Sequence, residues 1–280
     1  MKLGLDIGSS DLKTHLGFKI PSKIRVGTSF NKEAIQVTFD GVDYVIGEGH
    51  REVEINKASR ENNLIYIYTL IALSSQDVNN EIGIGLPLGQ YKANKDAYRE
   101  FIMANNFKTF KINGKTRTIR ISDVKVFPEG LASVPVGFNG VILDLGGRTT
   151  DIALLENRKV VNPITKPRGI LNLYSDIVNV ANAKYSLDLQ QEEGERVLKG
   201  LKVDGELVDN TFAKEIMAEF VDDVVNTLKL NYSIRTNDLL ITGGGAELCE
   251  KAFKNRIKHT EKLVNATFSN AEAFRRGLGE

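Results

Sequence analysis

Two stretches of the chain repeat one pattern of apolar and polar positions. The first is Leu3-Gly4-Leu5-Asp6-Ile7-Gly8-Ser9-Ser10-Asp11-Leu12-Lys13, and the second is Val141-Ile142-Leu143-Asp144-Leu145-Gly146-Gly147-Arg148-Thr149-Thr150-Asp151-Ile152. Each is a short apolar run carrying an aspartate near its end, then glycine and hydroxyl residues, then a second run. Such runs bounded by turn residues predict buried strands joined by a tight hairpin. The repeat falls at about the midpoint of the 280-residue chain, so the pattern predicts two similar domains.

The elements between them follow from the same reading. Residues 3–7 and 12–18 predict the first hairpin and 23–27 a third strand. Residues 30–60 predict a small inserted module, in which strands over 34–39 and 42–46 meet at Asp40-Gly41, a dipeptide suited to a two-residue turn with positive φ. An apolar helix over 60–73, a buried strand over 80–86 stopped by Pro87, and a helix over 96–105 come next. Strands over 107–112 and 116–126 flank Asn113-Gly114, a second hairpin signal. Residues 127–131 predict a short helix, with Pro128 in the first turn where a missing N–H costs nothing. The second half then repeats the opening plan with strands over 141–145, 149–156 and 159–161. Helices are predicted over 169–183, 189–199 and 211–232, with a turn region at 200–209. A strand over 238–242, the turn Gly243-Gly244-Gly245, a helix over 246–258, a strand over 263–268 and a helix over 270–278 close the chain.

Composition narrows the classes without choosing among them. Hydrophobic residues make up 41% of the chain, enough for a core in each half. Lys and Arg number 37 against 36 Asp and Glu, a formal charge of +1, so nothing draws the chain as a whole toward nucleic acid or anionic lipid. The single cysteine, Cys249, cannot form an internal disulfide, and the N-terminus reads directly into a strand; both lead to the expectation of a cytoplasmic protein. The longest mostly apolar run, 64–73, is about half of the roughly 20 residues that span a bilayer, so no membrane partner is expected.

The candidate chemistry lies in the repeated turns. Glycines let successive backbone N–H groups converge on an anion, and a strand-end carboxylate beside them can hold a hydrated Mg²⁺ that neutralises phosphate. Gly8, Ser9, Ser10 and Lys13 form one such cradle; Gly146, Gly147, Arg148 and Thr149 form the other, with Asp6 and Asp144 as metal-side carboxylates. Glu129 has two readings: an acidic residue favoured in a helix's first turn, or a carboxylate that orients or deprotonates an attacking water. Gly243, Gly244 and Gly245 offer a surface without side chains for a nucleoside, or simply meet the geometry of a turn. No P-loop and no dinucleotide fingerprint is present. His15, His50 and His259 lack ligand spacing, and Cys249 reads as a small buried hydrophobe. The basic stretches 108–120 and 251–262 read as solvated faces or partner surfaces.

The order of these pieces resembles the five-motif signature of the actin-like ATPase superfamily. Leu5-Asp6-Ile7-Gly8-Ser9-Ser10 with Lys13 resembles its first phosphate motif and Pro128-Glu129-Gly130-Leu131-Ala132 its first connecting helix. Leu143 to Ile152 is similar to the second phosphate motif, Ile241 to Ala246 to the adenosine motif, and Asn270 to Leu278 to the second connecting helix. The resemblance implies an α/β fold of two ribonuclease-H-like domains around a nucleotide cleft, each with a small inserted subdomain. The domains would run over 1–135 and 136–280, with inserts near 30–60 and 184–210 and the helix 270–279 crossing back to the first. It implies ATP and Mg²⁺ as cofactors, Asp6 and Asp144 as metal-binding and catalytic residues, and Glu129 as the residue placing the hydrolytic water. Phosphate would be bound by Gly8, Ser9, Ser10, Lys13, Gly146, Gly147, Arg148 and Thr149, and the nucleoside by Gly243 to Gly245, with Glu193 near the base or ribose.

The wording of the second phosphate motif is most similar to the ParM type of plasmid-segregation protein. That implies self-assembly into filaments, ATP hydrolysis coupled to polymerisation, and a DNA-bound adaptor as partner rather than direct DNA contact. Residues 184–210 leave little room for a second inserted subdomain. Alternatives of the same superfamily are a non-segregating cytoskeletal protein and a small-molecule kinase.

Overall fold

The structure is a computed structural model that describes residues 1–279; Glu280, assigned above to the second half, lies outside the described residues. The chain divides into two compact units. One comprises Met1–Val136 together with the chain from Val264 onward, and the other is Gly137–Leu263.

The first unit is built on a nine-stranded sheet: β1 (Lys2–Ile7), β2 (Asp11–Thr14), β3 (Lys19–Pro21), β4 (Ile24–Val26), β5 (Ile35–Phe39), β6 (Val42–Ile46), β7 (Asn79–Leu86), β8 (Phe107–Ile112) and β9 (Lys115–Pro128). The order is β3-β2-β1-β7-β9-β8-β5-β6-β4. Helix α1 (Asn63–Ser74) follows β6 and α2 (Leu88–Ala104) follows β7. Residues 3–7 of β1 are all buried, as expected for a strand covered on both faces. Ile65 to Ala72 of α1 are buried on every side of that helix, which explains its nearly continuous apolar sequence. β9 serves two neighbours: its first part pairs antiparallel with β8 and its second part parallel with β7.

The second unit repeats the inner part of this plan. Its sheet contains β10 (Gly140–Leu145), β11 (Thr150–Glu156), β12 (Lys159–Lys166), β15 (Leu239–Thr242) and β16 (Thr260–Lys262), in the order β12-β11-β10-β15-β16. A separate hairpin joins β13 (Lys202–Val203) to β14 (Glu206–Leu207). The helices are α3 (Ile170–Tyr185), α4 (Gly194–Lys199), α5 (Thr211–Asn231) and α6 (Ala246–Arg256). In both units an antiparallel three-strand meander is followed by two parallel strands on the side of its first strand. The doubled sequence motif is thus a doubled five-strand sheet.

Several elements differ from their sequence expectation. The third strand of the opening meander is Lys19–Pro21, while Ile24–Val26 pairs with β6 at the far edge of the sheet. Residues 127–131 form no α-helix. β9 keeps its ladder with β7 through Pro128, Glu129 N–H donates to Leu86 O at 2.9 Å, and Gly130 at φ 72° turns the chain into the 3-10 helix Leu131–Ser133. α2 begins directly after Pro87 rather than at 96, because its polar first half lies on an exposed face. β12 runs to Lys166, the helix expected over 189–199 is confined to Gly194–Lys199 after one 3-10 turn, and 200–209 holds a hairpin. No strand spans 263–268. Thr260–Lys262 pairs with β15 instead, and Asn265 at φ 54° turns the chain away.

The C-terminal helix, Ser269–Gly277, lies on the sheet of the first unit. Glycines on β1 and β7 allow backbone to meet backbone: a Cβ at Gly4 would stand 1.9 Å from Ala271 O, and one at Gly83 would stand 2.5 Å from Phe274 O. Phe127 and Phe274 stack beside them, ring centroids 5.7 Å apart. Because no flexible side chain can yield at Gly4, Gly4→Ala is expected to destabilise this unit by about 3 kcal/mol. Urea unfolding reads this directly; an unchanged midpoint would mean that the helix does not rest on β1.

Candidate functional site

In the first unit, β1 brings Asp6 to the edge of the Gly8–Ser10 turn. A Cβ at Gly8 would stand 2.6 Å from Asp11 O, so the turn closes only around a glycine. Asp6 is 4% exposed. The ladder sets it opposite Lys13, whose Nζ lies 2.8 Å from Asp6 Oδ2 and also donates to Thr267 O at 3.0 Å. Burial pushes the Asp6 carboxyl up, but the ammonium groups of Lys13 and Lys57 outweigh it, and the net shift is below the usual carboxylate range. Asp6 is therefore ionised at neutral pH.

Lys57 and Arg60, which the sequence reading missed, complete this end of the sheet. Lys57 sits in the 3-10 helix Lys57–Ser59, capped by Asn56, and is 2% exposed. Its ammonium group forms a short ion pair with Glu129 Oε1 and lies 3.7 Å from Asp6 Oδ1. Gln90 Oε1 accepts its backbone N–H at 2.9 Å, and Asn63 Nδ2 donates to its carbonyl at 2.7 Å. The structure thus brings Asp6 and Glu129 together through a buried lysine. Arg60 donates to Ser9 Oγ at 2.6 Å. Neither cation belongs to a motif. Lys57 lies in a polar stretch without periodicity and Arg60 at the first position of the predicted apolar helix, which begins at Asn63 instead, and only the placement of residues 57–60 beside the turn reveals them.

In the second unit, Asp144 occupies the equivalent strand position and is 5% exposed. The turn after it is closed by Gly146 N–H donating to Thr149 O at 2.9 Å, with Gly147, Arg148 and Thr149 half-buried around it. The start of α3 rests on this turn: Ile170 N–H donates to Gly146 O at 3.0 Å and Leu171 N–H to Gly147 O at 2.9 Å. Gly169 is required there, since a Cβ would stand 2.5 Å from Gly146 O. Thr149 donates its hydroxyl proton to Asp151 Oδ2 at 3.1 Å, because a carboxylate only accepts.

The triple glycine belongs to the same end of the same sheet. Thr242 pairs with Asp144 across two parallel strands, which sets the two turns side by side at the carboxyl ends of β10 and β15, the common place for ligands in open α/β sheets. Gly243, at φ +85°, leaves no room for a side chain: a Cβ would stand 2.2 Å from Asp144 Oδ1. Gly245 is held by its N–H to Leu145 O at 2.9 Å and pressed against Ile170. Gly244 alone faces open space. Glu193 accepts Gln190 N–H at 2.9 Å and pairs with Arg196 at 2.5 Å, so its carboxylate is held by its own helix start.

Other sequence candidates have structural explanations. His15 Nδ1 accepts Gly4 N–H at 3.2 Å and His259 Nε2 bonds Ile234 O at 2.6 Å. Burial pushes the Cys249 thiol up to about 12, leaving it an inert core group. Among the described residues, no cluster of three or more His, Cys, Asp or Glu side chains could hold a metal by itself. Single buried carboxylates beside glycine turns would suit a hydrated magnesium ion whose other ligands are water and oxygens of a bound anion. Among the described residues, no helix is long and apolar enough to cross a membrane.

A meander with two parallel strands, repeated in each unit with a strand-end aspartate and a glycine turn, defines the actin-like fold. Residues 4–131 match the family described as "Actin like proteins N terminal domain". Solved structures extend the likeness over the rest of the chain. The archaeal actin homologue Ta0583 in complex with ADP is 19% identical, with 98% of each chain covered and a TM-score of 0.82. A ParM from Clostridium botulinum, solved as a 15-stranded filament, is 18% identical, with 99% of this chain and 98% of that one covered and a TM-score of 0.78. The Alp12 filament protein is also 18% identical, with 99% and 97% covered and a TM-score of 0.70. A sequence search among curated proteins returns no match.

Proposed function

We propose that the chain is a cytoplasmic ATPase that binds ATP and Mg²⁺ through its two phosphate turns and polymerises in the bound state, moving plasmid DNA through a DNA-bound adaptor. The observation that carries this reading is the duplicated sheet, each copy ending in a buried aspartate beside a glycine turn. Its likeness to an archaeal homologue solved with ADP and to two filament proteins supports the nucleotide and the polymer. The near-neutral formal charge favours an adaptor over direct DNA contact.

Each residue has a task in this scheme. Gly8, Ser9, Ser10 and Lys13 bind phosphate in the first unit; Gly146, Gly147, Arg148 and Thr149 do so in the second. Gly243 to Gly245 accept the nucleoside. Asp6 and Asp144 would hold the magnesium ion and its waters, and the ion would supply charge neutralisation of the phosphates. Glu129, fixed by Lys57, accepts a hydrogen bond from the attacking water and orients it.

Negative-stain microscopy and sedimentation with ATP and Mg²⁺, with ADP, and with EDTA test the reading. Polymer is expected with ATP and Mg²⁺, shortening as ATP is consumed, and none with EDTA. A chain that stays monomeric at micromolar concentration under every condition would remove filament formation. A second reading is an actin-like filament that moves no plasmid. Filaments that grow with ATP but capture no DNA-bound adaptor would select it.

A further inference from the structure

Arg60 precedes α1 and is 6% exposed. Its guanidinium donates to Ser9 Oγ at 2.6 Å, to Glu54 O at 3.2 Å and to Ile7 O at 3.5 Å. All three acceptors are neutral, and Arg60 enters no ion pair among the described residues. A guanidinium stays charged at any ordinary pH, and burying it with no carboxylate in direct contact is unfavourable; the half-buried Glu52, bonded to Asn62, is near but makes no ion pair with it. Lys13 and Lys57, close by, face the carboxylates of Asp6 and Glu129. Arg60 is aimed instead at the Gly8–Ser10 turn.

The bond to Ser9 also sets a polarity. A serine hydroxyl has one proton and two lone pairs, and when the guanidinium occupies a lone pair, the proton is left to donate elsewhere. Thr149 in the second turn is arranged the other way, its proton directed to Asp151. The hydroxyl of the first turn is thus prepared as a donor, backed by a buried positive charge, which is the chemistry that receives a phosphate oxygen.

We propose that Arg60 is the positioning residue of the first phosphate turn: it fixes Ser9 as a donor to the terminal phosphates of a nucleoside polyphosphate, and the bound phosphate supplies the directly contacting counter-charge it lacks. This rests on the nucleotide reading above. The test is the affinity of the full chain for ATP with Mg²⁺ and for adenosine, measured on wild type, Arg60→Gln, Arg60→Lys, Ser9→Ala and the double variant Arg60→Gln/Ser9→Ala, with unfolding midpoints alongside.

Arg60→Gln and Ser9→Ala are each expected to weaken ATP about 10-fold. The double variant should be little weaker than either single one, since both break one arrangement. Arg60→Lys, with the charge but not the fork, should fall between wild type and Arg60→Gln, and adenosine affinity should not move. Wild-type ATP affinity in Arg60→Gln, losses that multiply to about 100-fold in the double variant, or an equal loss for adenosine would each overturn the proposal. Should Arg60→Gln not fold, Arg60→Lys and Ser9→Ala decide it by the same affinities. A wild type that binds no ATP overturns the nucleotide reading and this inference with it, whereas wild-type binding that Arg60→Gln leaves intact overturns the role of Arg60 alone.

Discussion

Glu129→Gln is expected to slow ATP hydrolysis by about 10²- to 10⁴-fold, the usual loss when a positioned acid–base group is removed. Nucleotide affinity should stay within a few-fold. Glutamine keeps the volume at the end of β9 and still offers an oxygen to Lys57, so the variant removes the charge without removing the contact. Polymers formed with ATP should then persist, because the step that ages them is blocked. Single-turnover hydrolysis and filament lifetime read the two effects separately. Equal loss of binding and turnover would show that Glu129 only shapes the turn.

Lys57→Met is expected to cost about 3–5 kcal/mol of stability at neutral pH, the scale for removing one partner of a buried ion pair. The lysine is 2% exposed, and its loss strands Glu129 without the ammonium it pairs with. Asp6 retains Lys13 at 2.8 Å, so the damage should centre on Glu129. The double variant Lys57→Met/Glu129→Leu supplies the internal control: replacing both charges with apolar groups should recover most of the loss. Urea unfolding of the three proteins measures this. A Lys57→Met protein as stable as wild type, or a double variant as unstable as the single one, would show that the ion pair is not what holds this corner together.

The sequence made some of this visible because local chemistry and tertiary role coincide. The runs carrying Asp6 and Asp144 are buried on both faces, so they are apolar almost without a break, and Asp40-Gly41 and Asn113-Gly114 mark hairpins because positive φ is needed at both positions of each. Where local pattern and long-range pairing part, the reading fails. Ile24–Val26 is an acceptable strand in any sheet, and nothing nearby says that β6 will claim it. Pro128 favours a helix start locally, yet the ladder with β7 carries the chain extended to its end. The same holds for the candidate site. Asp6, Glu129 and Asp144 announce themselves by motif, whereas Lys57 and Arg60 become legible only when residues 51–62 are folded against the first turn. Glu193 lies in the 3-10 turn before α4, where its carboxylate is held by Gln190 and Arg196.

Gly4 and Gly83 seat the C-terminal helix on β1 and β7. On the ribosome this reverses the usual schedule. The unit spanning Gly137–Leu263 is continuous and is synthesised before the residues that complete the other unit. The N-terminal sheet therefore spends most of translation with the face around Gly4 and Gly83 bare, a period in which association with other nascent chains or with a chaperone competes with closure.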